Sequence, residues 1–186
     1  MLTFLSSNKH KLHLAENNLS PLGVTFKQDV FPFIEIQSDN PTEITIDKAQ
    51  QAFKILQKPF FVTDDSWYIT ALNGFPGAYM KHINGKLKEN DFLRLMQPYA
   101  NREIILHRVL CYIDQDGPRI FEDRLVGEVL KEATNYGEIP LLNIISFLPS
   151  NKSVAQAWDE GTQQLPHETM WIDFAQWYSL NRKIII

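Results

Sequence analysis

The sequence holds a single cysteine, no run of basic residues and no uninterrupted apolar stretch of membrane-spanning length. One thiol, Cys111, cannot close an internal disulfide, and no Cys/His spacing suggests zinc. Cys111 sits in the apolar stretch 104–113 and reads as core packing rather than as a reactive nucleophile. A formal net charge of −4 without a basic stripe argues against nucleic acid as the main partner. An anionic small molecule stays open, because it needs only a few cations in one cleft. The missing apolar run argues against a membrane span. The opening MLTFLSSNKHK has no basic leader followed by an apolar core, so the expected location is the cytoplasm. No repeat, low-complexity segment or linker breaks the chain, and residues 1–186 read as a single domain.

What is present suits a folded domain. Hydrophobic residues make up 44% and charged residues 22% of 186, enough to bury one substantial core. Residues 1–5 predict a buried strand that stops at Ser6-Ser7-Asn8 and feeds a capped helix through Lys11, Leu12 and Glu16. Residues 24–30 predict a second strand. Asn40-Pro41 starts a helix in which Ile44, Ala49, Ala52, Phe53 and Leu56 recur at helical spacing. Phe60-Phe61-Val62 predicts a buried strand, and residues 67–72 resume extended structure. Residues 87–96 predict a helix, and strands over 103–113 and 119–130 flank an Asp116-Gly117 turn. A last helix over 166–180 carries Met170, Trp171, Phe174 and Trp177, an aromatic stripe read as core. Interleaved helices and strands with a long hairpin predict an α/β fold around a mixed sheet.

Three constellations carry chemistry. Ser6, Ser7, Asn8, Lys9, His10 and Lys11 lie where a strand enters a helix, and a helix N-terminus suits phosphate oxygens. Thr63-Asp64-Asp65-Ser66 follows an apolar strand. Two carboxylates there either join through a cation, with oxygen donors favouring Mg²⁺, or form a solvent-facing acidic turn. Glu35, in Phe33-Ile34-Glu35-Ile36-Gln37, either completes such a site or faces water from a strand. The third, Ala71-Leu72-Asn73-Gly74-Phe75-Pro76-Gly77-Ala78-Tyr79, packs turn formers into a rigid loop followed by Lys81.

In order and spacing, SSNKHKL, the Glu35 segment, ITIDKAQQA, TDDSW and ALNGFPGAYMK resemble the inosine triphosphate pyrophosphatases, which hydrolyse aberrant purine nucleotides such as ITP, dITP and XTP. ALNGFPG is the most specific of these, and FEDRLVGEV looks like the family's strand pair. The resemblance implies a long mixed sheet flanked by helices, with two lobes and a central nucleotide cleft, and usually a homodimer. It implies a phosphate loop over Ser6 to Lys11, with Lys48, otherwise expected to be an exposed helical lysine, pointing at the phosphates. Glu35 and Asp65 would hold Mg²⁺, and Asp65 would also accept the proton of the attacking water. Asp64 would support that centre, and Ser66, Lys81 and His167 would meet substrate.

The second half departs from the family pattern. The segment that holds the purine reads Tyr136-Gly137-Glu138-Ile139-Pro140, with Glu138 at the stacking aromatic and Ile139 at the Asp. Lys152-Ser153-Val154-Ala155-Gln156 resembles the stretch that follows. Ungapped continuation puts Thr162, Pro166 and Glu168 at the family's Lys, Ser and Arg, and only His167 is retained. The leading expectation is a nucleoside triphosphate pyrophosphatase with altered base selectivity. The others are a nucleotide-binding regulatory or scaffold protein with little turnover, and a pyrophosphatase for pyrimidine or modified nucleotides.

Overall fold

Leu2–Leu5 forms a first strand, β1, whose four side chains are all buried. In the computed structural model, which describes residues 1–147, 152–162 and 169–181, this strand is flanked on both sides by parallel partners. Helix α1 (Lys9–Leu19) leads from it to β2 (Phe26–Asp29), and α2 (Pro41–Leu56) leads on to β3 (Phe60–Ile69). These are two successive βαβ connections, the arrangement that parallel pairing demands. The register sets Leu2 beside Phe26, and Phe4 beside Phe61. A short β4 (Pro76–Gly77) pairs antiparallel with β3. Then come α3 (Met80–Asn84), α4 (Glu89–Met96), β5 (Glu103–Asp114) and β6 (Gly117–Val129). The last elements are β7 (Ile145–Ser146), α5 (Val154–Asp159) and α6 (Thr169–Asn181). The sheet order is β2-β1-β3-β5-β6-β7 with β4 beside β3, and β7 runs antiparallel to β6. The expected α/β fold with a mixed sheet and flanking helices is therefore present.

The chain divides into two compact units, one built from Met1–Asp65, Arg108–Asp123 and α6, the other from residues 66–107 and 124–162. No linker separates them: the chain passes between units inside β3, β5 and β6. In the first unit the period-two alternation of strands sorts the apolar residues into two layers. Phe4, Phe61, Leu110 and Tyr112 pack with Ala15 and Leu19 of α1 and with Met170, Trp171 and Phe174 of α6. Leu5, Phe60, Val62, Cys111 and Ile113 pack with Ala49 and Ala52 of α2. Phe4 and Phe61 stack at 4.5 Å between ring centroids. Truncating such a fully buried ring costs about 3–5 kcal/mol. The C-terminal aromatic stripe is core, as its spacing predicts. Burial also pushes the Cys111 thiol up to about 12, so the core reading of that residue holds.

The second unit centres on Trp67, Ile69, Phe92, Met96, Ile104, Leu125, Leu141 and Ile145. There Gly127 of β6 lies so close to the last strand that a Cβ would sit 2.5 Å from the Ser146 carbonyl oxygen. The buried amide of Asn143 organises the loop before it. Its Oδ1 accepts from the Tyr136 and Gly137 amides at 3.1 and 3.0 Å, and its Nδ2 donates to Glu89 and the Gly137 carbonyl at 2.9 and 2.7 Å.

Some elements differ from expectation. The second strand is Phe26–Asp29, shorter than residues 24–30. Strand β3 does not stop at the acidic pair but runs unbroken through it, and Thr70–Leu72 beyond it is one 3-10 turn rather than extended chain. Asp is a poor strand former by propensity alone. Here the apolar runs on either side and two neighbouring strands override that propensity. Glu35 lies in a segment without regular structure, not in a strand. No helix among the described residues is long and apolar enough to cross a membrane.

Candidate phosphate and metal site

The acidic pair sits in the middle of β3, so the pleat directs Asp64 and Asp65 to opposite faces of the strand. Their partners match that division. Asp64, on the α2 side, accepts from Lys48 Nζ at 3.0 Å. Asp65, on the α1 side, pairs with Lys11 Nζ at 3.3 Å. Repulsion between neighbouring carboxylates is thus relieved by the pleat and by two lysines, not by one cation shared between them.

Each lysine is positioned by its helix. Asn8 caps α1, its Oδ1 accepting from the amides of His10 and Lys11 at 2.9 and 3.3 Å. The cap starts the helix so that Lys11, on its first turn, reaches back over the strand and donates to the Thr63 carbonyl at 3.2 Å. It also means that the first-turn amides of His10 and Lys11 are already satisfied, so the loop offers less free N–H than its position predicts. Upstream, the Ser6 amide donates to the Asp29 carbonyl at 3.0 Å, and Gln28 Nε2 donates to the Ser6 carbonyl at 2.7 Å. Ser7, Asn8, Lys9 and His10 are exposed and Ser6 is half-buried, which leaves the loop open to a ligand.

Lys48 corrects the expectation of an exposed helical lysine: only 7% of it is accessible. Its place could be read from the helix period, since it lies four residues after Ile44 and four before Ala52, in the middle of the apolar stripe. Its Nζ lies 3.0 Å from Asp64, 3.3 Å from Glu35 and 5.7 Å from the centre of the Phe33 ring. Burial opposes the Lys48 charge, but the Asp64 and Glu35 carboxylates outweigh it and hold the pKa above the ordinary lysine value. Glu35 reaches this centre because Gln51, one turn beyond Lys48, brackets Ile34: its Oε1 accepts from the Ile34 amide at 3.3 Å and its Nε2 donates to the Ile34 carbonyl at 2.6 Å. Motif reading missed Gln51, Phe33 and the Thr63 carbonyl. Gln51 offered only its i+3 spacing from Lys48 as a signal.

Three carboxylates and two ammonium groups thus meet about one strand segment, leaving one negative charge in excess. Ion clusters this poorly solvated contribute little net stability, because desolvation offsets the attraction. Such groups gather where charge is to be handled. All the acid donors are oxygens, which fits a hard divalent cation. Among the described residues no group of three or more His, Cys, Asp or Glu side chains forms a ready-made metal cage. The ligands present suit an ion that keeps water and takes phosphate oxygens as well.

The remaining expected residues lie in the second unit. Ser66 is fully buried and its Oγ has no hydrogen-bond partner. Lys81 is exposed on α3, following a rigid turn in which Asn73, Gly74 and Gly77 hold positive φ and the Gly74 amide donates to the Ile69 carbonyl at 3.0 Å. Glu138 is exposed and Ile139 half-buried. His167, with Pro166 and Glu168, lies outside the described residues.

Comparison with known proteins places this geometry among relatives. A dITP/XTP pyrophosphatase of Korarchaeum cryptofilum is 31% identical over 86% of this chain and 85% of its own. One from Thermococcus kodakarensis is 29% identical over 98% and 99%. An inosine triphosphate pyrophosphatase of Candida glabrata is 28% identical over 73% and 76%. In fold, the chain is similar to a HAM1 protein of Coxiella burnetii, with a TM-score of 0.78 at 20% identity, covering 96% of this chain and 98% of that one. The family model described as the Ham1 family matches residues 2–165. By that match and by these relatives, the chain belongs to the Ham1 family.

Proposed function

We propose that the protein is a nucleoside triphosphate pyrophosphatase that hydrolyses its substrate to a monophosphate and pyrophosphate, with weaker base selectivity than its relatives. The observation that carries this reading is the pair of lysine–carboxylate clusters on the two faces of β3, Lys11 with Asp65 and Lys48 with Asp64 and Glu35. Family membership and the names of the relatives support the same chemistry.

Binding starts with charge. A triphosphate presents several negative charges to a site that itself carries one in excess, so the site needs a further cation. A divalent ion, taken as Mg²⁺, would be held by Glu35 and Asp65 with Asp64 in support, and when bound it would neutralise phosphate oxygens and the departing pyrophosphate. Lys11 and Lys48 meet phosphate oxygens, and the Ser6 to Lys11 loop supplies polar groups around them. Asp65 orients a water in line with the α-phosphorus and accepts its proton. Its partner Lys11 holds that carboxylate in place. An enzyme needs this carboxylate, whereas a protein that only binds nucleotide does not.

Reduced selectivity rests on the second unit, where Glu138 and Ile139 stand in place of the family's aromatic and Asp. Substrate contact by Ser66, Lys81 and His167, assembly as a homodimer and residence in the cytoplasm belong to the same proposal. The decisive experiment supplies Mg²⁺ and a panel of nucleoside triphosphates and detects pyrophosphate and orthophosphate separately. Equal yields of monophosphate and pyrophosphate are expected. Orthophosphate with a diphosphate product would overturn the reaction assignment. Light scattering on the purified protein tests the dimer.

A further inference from the structure

We propose that Lys48 is a tethered cation that competes with the divalent ion for Glu35, and that the ion takes this carboxylate only when the lysine releases it. The inference deepens the proposed function and rests on its assignment of Glu35 to the metal. Lys48 Nζ lies 3.3 Å from Glu35 and 3.0 Å from Asp64, so one ammonium group bridges two carboxylates contributed by separate segments. The side chains of Lys48 and Asp64 are 8% and 15% exposed and that of Glu35 32%, so the lysine end of the centre is buried while its Glu35 edge meets water. Two carboxylates held this way with no cation between them would repel each other in a medium that screens poorly. The ammonium group removes that repulsion when no metal is bound.

A divalent ion bound by Glu35 would bring two positive charges next to the Lys48 ammonium group, and the two could not share that carboxylate without strong repulsion. Metal binding therefore requires the lysine to withdraw. Its flexible stem allows this, while its charge makes withdrawal unfavourable unless an anion receives it. A triphosphate is such an anion. The free protein is thus built to bind metal weakly alone and strongly together with nucleotide, because the phosphates accept the displaced lysine. Asp65, the other ligand assigned to the ion, pairs with Lys11 and not with Lys48, so the competition with Lys48 concerns Glu35. The device sets an order: metal enters with the triphosphate, not before it.

The test is Mn²⁺ binding in the absence of nucleotide, read by calorimetry and by the electron paramagnetic resonance signal of the free ion. Lys48→Met should bind Mn²⁺ at least about tenfold more tightly than wild type, a difference of about 1.4 kcal/mol. Lys48→Arg should show no such gain, because the charge stays. Adding Glu35→Gln to Lys48→Met should cancel the gain. Equal or weaker Mn²⁺ binding by Lys48→Met would overturn the proposal, as would a gain that survives Glu35→Gln. If Lys48→Met shows no cooperative melting without metal, Mn²⁺ should restore the transition, and failure to do so counts against the proposal equally. These readouts are separate from turnover. Pyrophosphate release by wild type with no gain in Lys48→Met would leave the function standing and remove the competition. A gain in Mn²⁺ binding with no pyrophosphate released from any triphosphate would do the reverse.

Discussion

The two units handle buried polar atoms in opposite ways. The first sets whole charges against each other about β3, with Lys48 shared between two acids and Lys11 divided between a carboxylate and a backbone carbonyl. The second relies on a neutral amide. Asn143 is 1% exposed and uses both N–H groups and two lone pairs, three of these bonds within the loop it supports and one to Glu89 of α4. Ions with several partners can trade them when a charged ligand arrives. A saturated amide has nothing left to trade and simply holds its loop. The contrast separates a region built to exchange partners from one built to keep them.

The contrast breaks most visibly at Asp65. Asp65→Asn should lower kcat on the order of a thousandfold, within the range for loss of a general base. Its melting temperature should stay close to wild type, because Asn keeps the size of a side chain that is 26% exposed. Near-normal turnover in this variant would remove the first unit's defining chemistry. Asn143→Leu should show the reverse pattern. Stranding the Tyr136 and Gly137 amides should cost about 2–4 kcal/mol in urea unfolding, while the rate at saturating nucleotide changes far less. A loss below about 0.5 kcal/mol would mean that the amide network is not what holds the loop.

Base choice sharpens the comparison further. On the proposed loss of base contacts, kcat/KM for ITP should lie within about tenfold of those for ATP and GTP, since each lost contact is worth about 1 kcal/mol. A preference for ITP of a hundredfold or more would show that other residues read the base. The smallest expected effect is at Cys111. Iodoacetamide at pH 8 should leave the native protein unmodified and label it in urea, because burial holds the thiol at about 12. Labelling of the native state would mean that the layer under α2 opens.

Legibility followed the range of the interactions involved. Asn8 and Asn40 announced their helices, because a cap is a local hydrogen bond to the next turn. The aromatic stripe of α6 announced core for the same reason of short period. The acids Asp64 and Asp65 were visible as a motif, but not their separation by the pleat, since that required knowing that β3 continues through them. Lys48 was visible in the helix period and yet expected at the surface. A lysine on an apolar stripe is buried only if acids meet it, and Glu35 lies 13 residues away in a segment without regular structure. Asn143 and the close approach at Gly127 depend on strands and loops brought together by topology, which no local pattern encodes.

The adjacency of the two acids has a consequence for how this chain tolerates insertion and deletion. A one-residue slip ahead of Asp64 would turn every following side chain of β3 to the other face. Part of the apolar cost would be spared, because Phe60 and Phe61 line opposite layers and one ring can replace the other. The acids are less forgiving. One of them would inherit its neighbour's position, while the vacated position would receive the hydroxyl of Thr63 or Ser66. One lysine would still be paired and the other would face an alcohol. Length variation in this strand is therefore constrained by its ions as well as by its packing, and loss of activity is the expected trace of such a change even where the chain still folds.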